Sequence, residues 1–126
     1  MIVLDGSSLF AILLDEPEAA RCAASLDAAD ELLISAASYA ECLIVAARKG
    51  LFEEMNAFIN ALEPEIATLT PVRARAAVGA YRIWGKGFHK ASLNFGDSFA
   101  YALAKELECP LLFVGNDFAA TDITPA

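Results

Sequence analysis

Apolar and polar residues follow one another in blocks along the chain, and this pattern predicts short strands that alternate with amphipathic helices. The chain opens with the apolar run 1–4, which ends at an acid, Asp5. Short apolar runs of this kind are typical of strands that are buried on both faces. Similar runs at 31–35, 66–69 and 111–114 predict three more strands, and we expect a short fifth edge strand near Ile123.

Between these runs, apolar residues recur at helical spacing. They predict six helices over residues 7–14, 18–28, 39–49, 51–62, 71–84 and 95–107. Ser7 or Ser8 is the expected cap of the first helix, and Asn94 that of the last. Gly6 is expected to let the backbone turn after the first strand. This alternation predicts one α/β domain over residues 1–126, with a parallel sheet and helices on both of its faces.

The composition narrows the class of protein. Hydrophobic residues make up 57% of the 126 residues, but no apolar run approaches the roughly 20 residues of a membrane-spanning helix. The N-terminus shows no basic region followed by a cleavage site, so we expect no signal peptide. The three cysteines are widely spaced and odd in number, which argues against a disulfide framework and predicts a cytoplasmic protein.

The charge is unevenly distributed. The formal net charge is −8, yet residues 66–96 contain no acid and five bases: Arg73, Arg75, Arg82, Lys86 and Lys90. One interpretation is a surface that contacts the phosphates of a nucleic acid; the other is an ordinary solvated helix face. His89, the only histidine, lies in the same segment, where it is a surface residue or a further phosphate contact.

Four acids stand at junctions between predicted elements rather than on helix faces: Asp5, Glu41, Asp97 and Asp117. Because ligands of parallel sheets bind at the carboxyl ends of the strands, we expect these acids to converge there. Clustered carboxylates repel one another unless a cation lies between them. Oxygen ligands without histidine or cysteine favour Mg²⁺ or Mn²⁺ over zinc, and such ions commonly support phosphodiester hydrolysis.

Each acid also has a purely structural explanation. Asp5 and Asp117 occur in sequences that are common in turns. Glu41 would complete a capping box with Ser38, and Asp97 is favourable at a helix N-terminus whatever its function. The prediction of a metal site therefore rests on the recurrence of acids at corresponding positions of the predicted fold, and not on any single acid.

Four segments resemble PIN-domain ribonucleases of the VapC toxin type, in order and at the spacing of that family. They are residues 2–7 (IVLDGS), 34–41 (ISAASYAE), 93–104 (LNFGDSFAYALA) and 111–123 (LLFVGNDFAATDI). The resemblance covers essentially the whole chain. Two residues depart from the family pattern: Gly6 stands where threonine is usual, and Ser98 where cysteine is frequent.

This resemblance implies a PIN-like three-layer α/β/α domain with a central, mostly parallel sheet of four or five strands. It implies a metal-dependent endoribonuclease that cleaves structured RNA, often tRNA or ribosomal RNA. It also implies a homodimer, and an antitoxin whose tail covers the active site.

The resemblance also implies roles for individual residues. Asp5, Glu41 and Asp97 match the invariant acids of the family. For the fourth acid we choose Asp117, although Asn116 occupies a position that is often acidic and Asp122 lies nearby. We expect Asp5 and Asp97 to hold the metal directly, and Glu41 and Asp117 to bind it directly or through water, or to orient the attacking water.

Supporting residues complete the expected site. Ser7 would donate to a metal-bound water or a phosphate, or merely cap the following helix. Arg73, Arg75, Arg82, Lys86, His89 and Lys90 would bind the RNA backbone.

Three alternatives are open at this stage. A haloacid-dehalogenase-type phosphotransferase also begins with an acid after its first strand, but it needs a second acid where this chain has Ser7. A catalytically idle PIN fold that binds RNA or protein, and a PIN nuclease without a toxin role, both fit the motifs.

Overall fold

The structure, a computed structural model, describes all 126 residues. Its strands are β1 (Ile2–Leu4), β2 (Leu32–Ser35), β3 (Glu65–Ala67) and β4 (Leu111–Leu112). Its helices are α1 (Gly6–Leu13), α2 (Ala19–Ala28), α3 (Ala36–Arg48), α4 (Phe52–Leu62), α5 (Pro71–Trp84) and α6 (Phe95–Glu106), followed by a single 3₁₀ turn at Phe118–Ala120. No helix has both the length and the apolar character that crossing a membrane requires.

The four strands form one parallel sheet in the order β3-β2-β1-β4. β1 lies inside the sheet: Val3 is in register with Leu33 on one side and with Leu111 on the other. The predicted parallel sheet is confirmed. The fifth strand expected near Ile123 is reduced to a single bridge between Leu111 and Pro125, because the last residues run beside β4 for too short a distance to form a ladder.

Helices cover both faces of the sheet, which confirms the three-layer architecture. Successive side chains of a strand point to opposite faces of the sheet, so the side chains of β1 enter two different cores. Ile2 and Leu4 belong to a core that includes residues of α1, α2, α3 and α4. Val3 belongs to a second core, which includes residues of α5 and α6. A strand buried on both faces explains why the first residues of the chain are apolar without alternation.

The N-terminus of α1 differs from the sequence-based expectation. The helix begins at Gly6, and its cap is Asp5, whose side chain accepts a hydrogen bond from the Ser7 amide; neither Ser7 nor Ser8 is the cap. Gly6 does not adopt a positive φ, so the turn after β1 does not depend on a glycine.

The N-terminus of α3 also differs. We predicted a start at Tyr39 and an alternative capping box of Ser38 with Glu41, and both predictions are wrong. Ser35, the last residue of β2, caps the helix directly by accepting from the Ala37 amide. No connecting loop separates strand and helix, so Glu41 lies in the second turn, and the buried Ser38 hydroxyl has no hydrogen-bond partner.

Candidate active site

Four carboxylates from separate parts of the chain face one another at the carboxyl ends of the strands. Asp5 follows β1, Glu41 lies on α3, Asp97 lies in the first turn of α6, and Asp117 follows β4. The charges of Asp5, Glu41 and Asp117 all act on Asp97, and that of Asp117 also acts on Asp5. The structure therefore brings together the four acids that the sequence singled out.

Asp5 is held in place by Ser7. One carboxylate oxygen of Asp5, Oδ2, accepts from both the amide and the hydroxyl of Ser7, at 3.0 and 2.5 Å. The Ser7 hydroxyl oxygen in turn accepts from the Val114 amide at 3.0 Å. Ser7 thus links the ends of β1 and β4, and its hydroxyl proton is directed to Asp5 rather than to solvent.

Asp97 is held by a capping box at the start of α6. The Asn94 side chain accepts from the Asp97 amide at 2.8 Å, and Asp97 Oδ2 accepts from the Asn94 amide at 3.1 Å. The structural explanation for Asp97 is therefore correct, and it does not exclude a second role. The capping box fixes the side chain in one orientation, and both Asp5 and Asp97 are only 8% exposed.

Glu41 lies at the exposed rim of the site, with its carboxylate against the backbone of Gly96. A Cβ built on Gly96 would overlap the Glu41 carboxylate. The sequence-based reasoning assigned no role to Gly96. A glycine in the first turn of a helix was the available signal, because glycine is unfavourable inside helices unless another group approaches closely.

Burial and mutual repulsion raise the pKa values of three of the acids. Desolvation is the largest cause and raises the pKa of Asp5, whereas the hydrogen bonds from Ser7 act in the opposite direction and lower it. Desolvation and the charge of Asp5 raise the pKa of Glu41. For Asp97, desolvation and the three neighbouring acids raise the pKa to about 7 despite the Asn94 hydrogen bond. No basic side chain contributes to any of these shifts, so the protein supplies no counter-charge.

Two further groups, Cys42 and Asp122, are held in environments of their own. Desolvation and the charges of Asp5 and Glu41 raise the pKa of the buried Cys42 thiol to about 12, which leaves it protonated. Asp122, our alternative fourth acid, accepts from the Tyr101 hydroxyl at 2.5 Å and pairs with Lys105 at 3.1 Å. Asn116 is exposed beside Asp117.

The side chains as placed do not form a closed metal cage: no three histidine, cysteine, aspartate or glutamate side chains are close enough to hold one ion. The donor chemistry nevertheless suits a hard cation. Four carboxylates converge without a basic partner, and the hydrogen bonds of Asp5 to Ser7 and of Asp97 to Asn94 all engage Oδ2. Carboxylate oxygens that lack a protein counter-charge are the preferred ligands of Mg²⁺ and Mn²⁺.

The basic residues divide into two groups. Arg73 forms a salt bridge with Glu106 at 3.0 Å and donates to the Thr68 carbonyl at 2.8 Å. The other four bases of the segment are exposed and form no ion pair: Arg75, Arg82, Lys86 and Lys90.

The aromatic groups of this segment pack within the protein. The His89 ring lies edge-on to Trp84, at a centroid distance of 4.7 Å, and its Nδ1 accepts from the Ala91 amide. Trp84 donates to the Tyr101 hydroxyl, and Tyr81 packs edge-on against Phe88. His89 therefore closes the loop after α5, and it is less available for RNA than an exposed base would be.

Comparison with known proteins identifies the family. The PIN domain family model matches residues 2–123. The chain is 43% identical over 125 residues to ribonuclease VapC30 of Mycobacterium tuberculosis, covering 97% of this chain and 95% of that protein. It is 40% identical over 129 residues to ribonuclease VapC28 of the same species, with coverage of 99% and 97%. Ribonuclease VapC of Mycolicibacterium smegmatis is 38% identical over 125 residues, with coverage of 97% of both chains.

Solved structures show the same fold. M. tuberculosis VapC20, described as a sarcin-ricin loop cleaving toxin, superposes with a TM-score of 0.79 at 12% identity. A toxin–antitoxin complex from Klebsiella pneumoniae superposes with a TM-score of 0.72 at 18% identity. Each match covers 100% of this chain and 98% of the other. The resemblance seen in the sequence is thus confirmed, and the chain belongs to the PIN-domain family, in the group of the VapC ribonucleases.

Proposed function

We propose that the chain is a metal-dependent endoribonuclease and the toxin of a type II toxin–antitoxin pair, which hydrolyses phosphodiester bonds in structured RNA such as tRNA or rRNA. The observation that carries this proposal is the convergence of Asp5, Glu41, Asp97 and Asp117 without a basic partner. The names of the mycobacterial relatives, which are ribonucleases, support RNA as the substrate.

In this proposal Asp5 and Asp97 hold Mg²⁺ or Mn²⁺ directly, and Glu41 and Asp117 do so directly or through water. A bound ion would lower the pKa of its water and stabilise charge on the phosphate. Ser7 and the Asn94 amide orient the two aspartates through Oδ2. Glu41, at the exposed rim, would bind the ion directly or through water, or orient the attacking water.

RNA binding is assigned to the exposed bases Arg75, Lys86 and Lys90. Arg82 also lines the apolar groove described below, and Asn116 is a supporting residue beside Asp117. Arg73 contributes less to RNA binding, since its salt bridge with Glu106 already neutralises its charge. Each unpaired base that contacts a phosphate displaces counterions, so binding weakens as salt increases.

A cleavage assay tests the enzymatic proposal. Purified protein is incubated with tRNA and with rRNA in Mg²⁺, in Mn²⁺ or in EDTA, and the new RNA 5′ ends are mapped. Cleavage should require the metal and disappear in Asp97→Asn, whereas the matched control Asp122→Asn should remain active. RNA binding without cleavage in either metal would identify an idle PIN module and refute the nuclease.

We further propose a cognate antitoxin whose tail covers the acid cluster, and a cytoplasmic location. The solved toxin–antitoxin complex with the same fold supports such a partner. Expression of the chain should arrest growth, and co-expression of the protein encoded immediately upstream should relieve the arrest. Cleavage in vitro without growth arrest would indicate a PIN nuclease that is not a toxin.

We also propose a homodimer formed through an exposed apolar face of α5, α6 and the loop between them. Val78, Phe88 and Phe95 are 59%, 59% and 75% exposed there, and together with Tyr81 they line a groove of about 490 Å³. Contiguous apolar surface of this kind marks interfaces. Val78→Asp should give the monomer mass in light scattering, and Ile44→Asp, at a residue of similar exposure on α3, should not. Monomeric wild-type protein would refute the homodimer.

A further inference from the structure

The contact between Gly96 and Glu41 joins two helices that are far apart in the sequence. Gly96 is buried at the second position of α6, directly before Asp97. An ideal Cβ at Gly96 would overlap the terminal carbon and both carboxylate oxygens of Glu41. The Glu41 carboxylate therefore occupies the space that any other residue at position 96 would fill.

The backbone does not require glycine at this position. Gly96 is not among the residues with positive φ, and it lies in a regular helical turn, where alanine is intrinsically favoured over glycine. The overlapping atoms are the far end of a flexible side chain and not backbone. An alanine at position 96 would displace the Glu41 carboxylate and leave α6 intact.

We propose that Gly96 is a positioning residue: its missing side chain allows Glu41 of α3 to place its carboxylate against the first turn of α6, next to Asp97. The inference rests on the proposed metal site and concerns how one of its acids is aimed. The position is also electrostatically suitable, since a helix N-terminus carries partial positive charge that attracts a carboxylate.

Gly96→Ala tests this inference, and Gly79→Ala is its matched control. Gly79 lies inside α5, and a Cβ there would meet no atom within 4 Å. Both variants should fold, with thermal midpoints in EDTA no lower than that of the wild type. Mn²⁺ affinity, measured by titration calorimetry, should fall about tenfold or more in Gly96→Ala, about 1.4 kcal/mol, and stay unchanged in Gly79→Ala.

A double-mutant cycle shows whether the effect passes through Glu41. In Glu41→Ala protein no carboxylate remains to be displaced, so adding Gly96→Ala should not weaken Mn²⁺ binding further. RNA cleavage should show the same non-additivity. Additive losses would mean that the alanine disturbs Asp97 or the helix itself, and would overturn the inference.

The remaining outcomes separate the inference from the proposed function. If the wild type and Gly96→Ala bind Mn²⁺ equally, Gly96 does not position Glu41, while the metal site stands. If the wild type binds no Mn²⁺, the metal site fails, and the positioning role fails with it.

Discussion

Replacing Asp97 by asparagine should stabilise the metal-free protein at neutral pH while it weakens metal binding. Burial is the main cause that raises the pKa of Asp97 from 3.8 to about 7, and the facing acids Asp5, Asp117 and Glu41 add to it. Asparagine has nearly the same size, and its side-chain oxygen can still accept from the Asn94 amide. The substitution therefore removes the charge but keeps the helix cap.

The direction of the pKa shift determines the pH dependence. Folding raises the pKa of Asp97, so between about pH 4 and pH 7 the acid is ionised in the unfolded chain but still protonated in the folded protein. Stability is therefore lost progressively as pH rises over this range. With about 1.4 kcal/mol per pKa unit, the shift corresponds to at most about 4 kcal/mol. Below pH 4 the variant should have almost no advantage.

Urea unfolding in EDTA measures this effect. Between pH 5.5 and pH 8, the stability advantage of Asp97→Asn over the wild type should grow by about 2 kcal/mol; lower pH is avoided because the pI is about 4.5. Asp122→Asn is the control. Hydrogen bonds from Tyr101 and Lys105 lower the pKa of Asp122, so its loss of stability should be the same at both pH values.

The reasoning is refuted if the advantage of Asp97→Asn does not change with pH. Saturating Mg²⁺ or Mn²⁺ should make the wild type more stable than Asp97→Asn. An ion that binds only the folded state stabilises that state, and the wild type is expected to bind the ion more tightly. A variant that remains the more stable protein in saturating metal would contradict the role of Asp97 as a ligand.

Three further predictions follow from individual contacts. Ser7→Ala removes the hydrogen bonds to Asp5 and Val114 and should cost about 1–2 kcal/mol in urea unfolding, with reduced RNA cleavage. Gly6→Ala should raise stability by about 0.5 kcal/mol, because the atom nearest to its Cβ would be Cys42 Cβ at 3.4 Å, an ordinary van der Waals contact; a lower unfolding midpoint would contradict this. Arg75→Ala should weaken RNA binding and reduce its salt dependence by about one counterion, whereas Arg73→Ala should mainly lower stability, and equal salt slopes would refute the distinction.

The sequence predicted the elements of the fold more reliably than their ends. The parallel sheet follows from apolar runs alternating with helices, and the predicted range of α5, residues 71–84, is correct. The start of α3 was wrong because Ser35 is both the last residue of β2 and the cap of the helix. A residue that belongs to two elements leaves no loop signal between them.

The site was predictable as far as it depends on topology. In a parallel sheet the residues after the strands and the N-terminal turns of the helices lie at the same edge, and this placed Asp5 and Asp117 together with Glu41 and Asp97. The contact of Gly96 with Glu41 could not be predicted in this way, because it depends on how closely α3 approaches α6. The salt bridge of Arg73 with Glu106 was missed for the same reason: both contacts depend on tertiary packing between distant segments.

The two central aspartates serve the fold as well as the proposed chemistry, and this decides how their variants must be interpreted. Asp5 caps α1, and Asp97 is part of the capping box of α6. Alanine at either position removes the charge and the cap together, and the lost cap alone costs about 1 kcal/mol. Inactivity of an alanine variant could then reflect a frayed helix. Asparagine removes the charge and retains an oxygen acceptor, so an inactive but more stable asparagine variant would assign the loss of activity to the carboxylate itself.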